Sequence, residues 1–255
     1  METLNQSVFF FGLSGIVLPT PKYMFPVEFQ NSSRLTYYSS LFNSIEINRS
    51  FYGLPQARTL TRWSGEVPPG FKFTFKLSKQ ITHSKALEFN DLDVREFMQT
   101  ISNVGNKRGC ILIQFPASMK SLHAGQLERL LRAIEMYNAG HAWNVAIEFR
   151  DKSWYNSEIY SMINAHGATI VTHDKPGAPP TSVELKSKIK YLRFHGPRGD
   201  YRGSYDEAFL HEYATYIREW RDAGNSVFVY FNNTNGDAFN NLRQLMNELN
   251  EQPLR

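Results

Sequence analysis

A closed (β/α)8 barrel is the fold this sequence predicts, and three observations predict it. Eight short runs rich in Val, Ile, Phe and Tyr alternate with helical or linker segments along the 255 residues, the pattern of a parallel sheet with its crossovers. Eight strand–helix units in roughly 250 residues is the length of such a barrel. An open doubly wound sheet would carry a G-x-G-x-x-G turn after its first strand, and Gly12-Leu13-Ser14-Gly15-Ile16 does not supply one. No composition shift divides the chain, so one barrel domain is expected over residues 1–255.

The first strand is read at Val8–Leu13, an apolar run that stops at Ser14-Gly15. A loop with Pro19, Pro21 and Pro26 leads to a helix between Phe29 and Phe42, where Leu35, Tyr38, Leu41 and Phe42 recur at helical spacing. Ser44–Asn48 is the second strand, and Gly53 with Pro55 ends its continuation. A short helix follows at Thr59–Ser64. Phe71–Leu77 alternates strictly and is the third strand, with Lys72, Thr74 and Lys76 on one side. A helix near Leu92–Val104 precedes the fourth strand, Cys110–Pro116. Leu122–Tyr137 is the clearest amphipathic helix, with Leu127, Leu130, Leu131 and Ile134 on one stripe. The fifth strand begins at Asn144, and its Val145, Ile147 and Phe149 alternate with Ala146, Glu148 and Arg150. Ser157–His166 is a helix stopped by Gly167, and Ala168–Asp174 is the sixth strand. Lys175–Pro180 is too rich in proline and glycine for a helix, so the connection from strand six to strand seven is irregular. Ile189–Gly196 is the seventh strand and Tyr205–Trp220 a helix. Ser226–Asn233 is the eighth strand and Ala238–Leu249 the last helix.

Strands of a parallel barrel are covered on both faces, which makes Glu148 a question. A buried carboxylate without a partner costs several kcal/mol, so it needs a cation, donors, a metal or a wet cavity. Glu46 and Asn48, Thr74 and Lys76, Glu148 and Arg150, and Arg193 and His195 each share one face of their strand. The opposite faces are mainly Ile, Phe, Val and Leu. The polar faces are therefore expected to converge on the barrel mouth, at the C-terminal strand ends where such barrels carry their chemistry. Trp154, in the loop after the fifth strand, reads as part of the rim. Two outcomes follow. In a ligand site, Glu148→Gln and Arg193→Ala lose the ligand and keep the fold. In an ion-pair network that only fills the barrel, with Glu148 on Arg193 or Lys76, both lose the fold.

Composition excludes some classes. Formal charge is +4, a mild tilt toward anionic partners. Cys110 is the one cysteine, so neither an internal disulfide nor a Cys-rich zinc site is possible. The apolar stretch Val8–Leu18 is interrupted by Gly and Ser and is too short to span a bilayer. No basic start of a secretory signal is present. A cytoplasmic protein without membrane partners is the expectation, and the sequence is silent on oligomeric state.

Three chemistries suit the mouth. For an acid/base enzyme, Glu46, Glu148, Lys76 and His195 are the catalytic candidates, with His195 first for proton transfer. Asn48, Tyr52, His83, Gln114, Arg150, Arg193, Gly196, Tyr205, Asn232 and Asn233 are the candidate ligand contacts. A metal-dependent hydrolase would need three ligands from Glu46, Glu148, His173, Asp174 and His195. His173 and Asp174 face opposite ways, no H-x-H or H-E-x-x-H spacing occurs, and the inward cations oppose a divalent ion, so no cofactor is expected. Nucleic-acid binding is the third. Arg49, Arg58, Arg62, Lys79, Lys85, Arg150, Lys152, Arg198 and Arg202 lie in the loops after the strands, with Phe51, Tyr52, Trp154, Tyr155, Tyr201 and Tyr205 among them, groups that suit phosphates and stacked bases. Gly196-Pro197-Arg198-Gly199 is either a phosphate-binding turn or an ordinary tight one. An anionic small molecule, phosphorylated or nucleotide-like, is the partner these residues fit first.

Asn48-Arg49-Ser50-Phe51-Tyr52, Lys76-Leu77-Ser78 with Ile81-Thr82-His83, Gln114-Phe115-Pro116, Glu148-Phe149-Arg150 with Ser153-Trp154, Arg193-Phe194-His195-Gly196 and Phe231-Asn232-Asn233-Thr234 occur in that order. Together they resemble the YecE-like family, domain of unknown function 72. The resemblance implies a TIM barrel whose activity is not settled. It also implies a likeness to endonuclease IV and xylose isomerase barrels, from which nucleic-acid binding or metal-dependent hydrolysis has been suggested. The first strand departs from the family pattern, Gly-x-Ser-Gly-Trp, because Ile16 follows Gly12-Leu13-Ser14-Gly15.

Overall fold

The computed structural model describes residues 9–138, 140, 142–176 and 185–250. Among these, eight parallel strands form one sheet: β1 (Phe9–Leu13), β2 (Ser44–Ile47), β3 (Lys72–Lys76), β4 (Arg108–Gln114), β5 (Asn144–Glu148), β6 (Thr169–His173), β7 (Ile189–Phe194) and β8 (Ser226–Phe231). Every strand pairs with its sequence neighbour from β2 round to β8, and β8 pairs with β1. The last seam, β1 against β2, holds a single bridge, Ser14 to Glu46. The result is a nearly closed TIM-type barrel.

Side chains close that seam where a backbone ladder is missing. The Tyr38 hydroxyl accepts from the Leu13 N–H at 2.7 Å and donates to the Ser44 carbonyl at 2.9 Å. The Asn43 amide accepts from the Phe11 N–H and donates to the Phe9 carbonyl, both at 2.7 Å. These contacts satisfy backbone groups that burial would otherwise leave costly. Gly12 sits against the seam so closely that a Cβ there would lie 2.2 Å from the Ser44 carbonyl oxygen.

The helices are α1 (Arg34–Leu41), α2 (Ala57–Glu66), α3 (Lys79–Thr82), α4 (Asp91–Ile101), α5 (Ala124–Tyr137), α6 (Ser157–Ala165), α7 (Glu207–Asp222) and α8 (Ala238–Asn250). Caps explain where several begin. Ser33 accepts from the Thr36 N–H, which starts α1 five residues later than apolar spacing suggests. Asp206 accepts from the Phe209 N–H, so α7 begins at Glu207 and Tyr205 lies outside it. Thr59–Ser64 proves to be the middle of a longer helix, α2. Of the expected irregular connection between β6 and β7, residues 177–184 lie outside the described residues. Among the described residues no helix is long and apolar enough to cross a membrane.

Period two sorts the strand residues into two cores. Outward, Ile45, Ile47, Phe73, Phe75, Ile111, Ile113, Ile147, Phe149, Leu192, Phe194, Val227 and Val229 pack under the helices. Inward, Cys110, Leu112, Ala146, Val171, Tyr191, Phe228 and Tyr230 fill the lower barrel, with Phe10 stacked on Phe228. Tyr230 is anchored by Ser44 at 2.6 Å and Thr74 at 2.8 Å. Above this aromatic plug the inward side chains turn charged. Trp154 corrects the expectation of a rim aromatic. It is fully buried, stacked on Phe149 and Phe115 outside the barrel, and its indole N–H donates to the Met119 carbonyl at 2.8 Å.

Candidate functional site

Glu46 on β2, Glu148 on β5 and Arg193 on β7 point inward: Glu148 stands two residues beyond Ala146 and Arg193 two beyond Tyr191 of the inward core, and Glu46 two beyond Ser44, which holds Tyr230. Arg193 joins the two acids. Its Nη2 donates to Glu46 Oε1 at 2.7 Å and its Nη1 to Glu148 Oε2 at 2.6 Å. All three side chains are 0–1% exposed. Glu46 also accepts from Ser14 at 2.7 Å and Tyr191 at 2.6 Å. Glu148 forms a second ion pair with Arg150. Burial pushes both acids up, but it is outweighed: Arg193, with Ser14 and Tyr191, holds Glu46 below the usual carboxylate range. Arg193 and Arg150 hold Glu148 well below it. Two guanidiniums thus balance two carboxylates.

His195 extends the network. Its Nδ1 lies 3.1 Å from Asp174, and its Nε2 lies 3.1 Å from Arg150 and 3.3 Å from Arg193. A carboxylate on one side and guanidinium donors on the other assign the neutral Nδ1–H tautomer, with Nε2 as the acceptor. Burial, with the two arginines against Glu148 and Asp174, brings His195 down to about 4. Asp174 is fixed by the His195 backbone N–H at 2.8 Å and by the Tyr205 hydroxyl. Tyr205 in turn accepts from the Gly196 N–H at 2.5 Å.

A cavity of about 180 Å³ opens over this layer, lined by Asn48, Tyr52, Lys76, Gln114, Arg193, Tyr201 and Asn232. A second, of about 320 Å³, shares Gln114 and Tyr201 with it and adds His83, Arg150 and Lys175. The Lys76 ammonium donates to Gln114 Oε1 at 2.6 Å and sits 4.2 Å from the centre of the Phe51 ring. Among the described residues no carboxylate oxygen lies within 4.0 Å of it. Burial pushes its pKa down to about 8; Arg193 and Arg150 add to this, and Glu148 and Glu46 oppose it. Asn48 Oδ1, Arg150 Nε and Arg193 Nε are buried with no hydrogen-bond partner in the protein.

The protein-family model described as "Protein of unknown function DUF72" matches residues 11–255. This chain belongs to the DUF72 family. It is 27% identical to UPF0759 protein YunF of Bacillus subtilis, over 88% of this chain and 89% of that one. It is 33% identical to UPF0759 protein YecE of Escherichia coli, over 32% of this chain and 30% of that one. Among solved structures, a DUF72 protein of Enterococcus faecalis superposes with TM-score 0.79 at 19% identity, covering 97% of each chain. Another from Thermotoga maritima gives 0.77 at 25% identity, covering 96% of this chain and 100% of that one. A D-psicose 3-epimerase crystallised with D-fructose shares the fold at TM-score 0.52 and 11% identity, over 84% and 88% of the chains.

The DUF72 barrel distributes the sequence candidates over three levels. Asn48, Tyr52, Lys76, His83, Gln114, Arg150, Arg193 and Asn232 line the two cavities. Glu46, Glu148 and His195 form the sealed layer beneath. Gly196, Tyr205 and Asn233 line neither cavity. The Gly196 N–H is taken by Tyr205, and a Cβ at Gly196 would lie 2.2 Å from the Arg202 carbonyl oxygen. The Gly199 N–H returns to the Gly196 carbonyl at 2.7 Å, and Arg198 is exposed beside Asp200. The Gly196–Gly199 segment is thus a tight turn. Asn233 donates to the Gly203 carbonyl and to Asn241, each at 3.0 Å. Sequence reasoning gave Tyr201 only as a loop aromatic and did not weigh Lys175 as a site residue. Tyr201 has φ 66°, rare for a side chain of its size, and Lys175 lies 4.1 Å from the centre of its ring. The signal was there: Tyr201 stands between Gly199 and Gly203, where a tight loop forces an unusual backbone.

Proposed function

We propose that the mouth of this barrel binds a small anionic molecule, a phosphorylated or carboxylated metabolite, and performs acid/base chemistry on it. One observation carries the reading. The sealed acids Glu46 and Glu148 are balanced by Arg150 and Arg193, whereas Lys76 lies in the cavity without a carboxylate partner. A desolvated cation with only a neutral amide and an aromatic face beside it favours an incoming anion. Lys175 at the rim of the adjoining cavity adds a second positive charge.

Lys76, with its pKa brought down to about 8, exchanges a proton near neutrality, the range an acid/base group needs. His195 has its Nε2 lone pair engaged by two arginines, so its part is to hold those arginines in place. The acids do not suit a divalent ion, since Arg193 bridges both and a metal would have to displace it. Among the described residues no group of three or more His, Cys, Asp or Glu is placed to hold one. The likeness to the epimerase supports the fold alone.

A nucleic-acid reading has its own observation. Tyr52 is 74% exposed at the rim with Lys79 5.9 Å from its ring centre, a platform for a base. A thermal-shift panel separates the two. Inorganic phosphate, sugar phosphates and dicarboxylates are expected to raise the melting temperature of the wild type and not of Lys76→Met. A ligand at a hundred times its Kd adds roughly 2.7 kcal/mol. Shifts from oligonucleotides alone, fading steeply with salt, would overturn the small-molecule reading.

A further inference from the structure

We propose that Lys76 is a nucleophile that forms an imine with the carbonyl group of an anionic substrate. The inference deepens the anion-binding reading and rests on it. The Lys76 side chain reaches into the cavity from the C-terminal end of β3, at the mouth where such barrels place reacting groups. Its amine meets the Gln114 amide oxygen and the Phe51 ring face, neither of which can take its proton or replace it as a nucleophile. The guanidiniums of Arg193 and Arg150 disfavour its charged form, as burial does. A lysine desolvated and set beside other cations is the arrangement that yields a free amine at neutral pH. Among the described lysines with a lowered pKa, Lys72 and Lys107 lie elsewhere: Lys72 donates to the Asn106 carbonyl, and Lys107 to the Ser64 and Val67 carbonyls.

The step balances without a further reagent. The neutral amine attacks the carbonyl carbon, the carbonyl π pair moves to oxygen, and one amine proton passes from nitrogen to that oxygen to give the carbinolamine. The C–O bond then breaks as the nitrogen lone pair forms C=N, and the hydroxyl takes the second amine proton and leaves as water. Amine and carbonyl are converted to imine and water, with no change of oxidation state. Arg193 and Arg150, held by the two acids, keep Lys76 short of its charged form, while Lys175 in the adjoining cavity is the cation that meets the substrate's carboxylate or phosphate. The substrate class is a 2-oxo acid or a phosphorylated ketone or aldehyde, of a size for cavities of about 180 and 320 Å³.

The test is reductive trapping on the full chain. Pyruvate, 2-oxoglutarate, dihydroxyacetone phosphate and glyceraldehyde 3-phosphate are each incubated with the protein and sodium cyanoborohydride, with acetone as the uncharged control. Adducts are located by peptide mass spectrometry. At least one of the four anionic carbonyls is expected to modify Lys76 roughly tenfold faster than any surface lysine at pH 7.5. Inorganic phosphate is expected to slow that reaction, and acetone to react no faster at Lys76 than elsewhere. Lys76→Arg should abolish the adduct while still showing a phosphate-induced thermal shift, because it keeps the charge and loses the nucleophile. Anion-induced shifts without a Lys76 adduct would overturn the imine and leave the anion site standing. Absence of both would overturn the two readings together. Equal labelling across surface lysines would overturn the imine as well.

Discussion

Arg193 and Lys76 are two cations at one mouth with opposite energetic roles. Arg193 compensates Glu46 and Glu148, both sealed from water. Replacing it by Met leaves two buried carboxylates facing an apolar side chain. Breaking a buried pair this way costs about 3–5 kcal/mol, and the urea midpoint of Arg193→Met is expected to fall accordingly. A midpoint within error of the wild type would show that the layer is wetter than its burial implies. Lys76 behaves the other way. Its charged form is disfavoured where it stands, so Lys76→Met is expected to match or exceed the wild-type melting temperature while losing the phosphate-induced shift. Melting several degrees lower would mean that Lys76 is a structural member of the network. The pair thus separates the two outcomes that the strand faces left open, an ion-pair network in the lower layer and the proposed ligand site in the cavity above it.

At the scale of elements, the seam between β1 and β2 is the weak point of the barrel. One hydroxyl, that of Tyr38 on α1, serves a donor on one strand and an acceptor on the other. Tyr38→Phe removes no apolar contact but leaves the Leu13 N–H and the Ser44 carbonyl unpaired, at about 1–3 kcal/mol for each buried group. Hydrogen exchange is expected to quicken at Leu13 more than at Val229 in the centre of β8; uniform quickening would argue against a local seam. None of this was legible in the sequence. Tyr38 was read correctly as an apolar-stripe residue of a helix, but which backbone its hydroxyl reaches is a property of the closed barrel. The strands were legible because their two faces meet different surroundings: Phe73 and Phe75 pack under helices, while Thr74 and Lys76 point inward. Helix starts were less so, since the apolar spacing already begins at Phe29, just after the Pro-rich loop, and only the Ser33 cap sets the boundary.

For the whole molecule, the shared phase of Glu46, Glu148, Arg193 and His195 was readable from alternation, and their convergence followed from closing eight strands. Their division into a sealed layer and an open cavity was not, because the cavity walls are completed by loop residues such as Tyr201 and Lys175, whose meeting at the mouth the strand pattern does not encode. The sealed layer makes stability depend on pH with a definite sign. His195 is brought down from 6.5 to about 4, so the unfolded chain binds the proton first as pH falls. Its stabilising contribution is complete above pH 6.5 and drains away between pH 6.5 and 4, a loss on the order of 3 kcal/mol. His173, also lowered by burial, acts in the same direction. Glu46 and Glu148 have depressed pKa values, so their contributions are present above the ordinary carboxylate range and are lost below it. All these terms weaken the fold on acidification. Urea midpoints measured from pH 7.5 to 4 are expected to fall steadily, beginning near pH 6.5. In His195→Asn the slope between pH 6.5 and 4 should become shallower, because the proton that unfolded His195 takes up there is gone and only those of groups such as His173 remain, even though the variant starts from a lower stability. A wild type equally stable at pH 7 and pH 4.5 would mean that His195 titrates normally. Its ring would then be open to water and free to move protons, returning to it the role that the two arginines now deny.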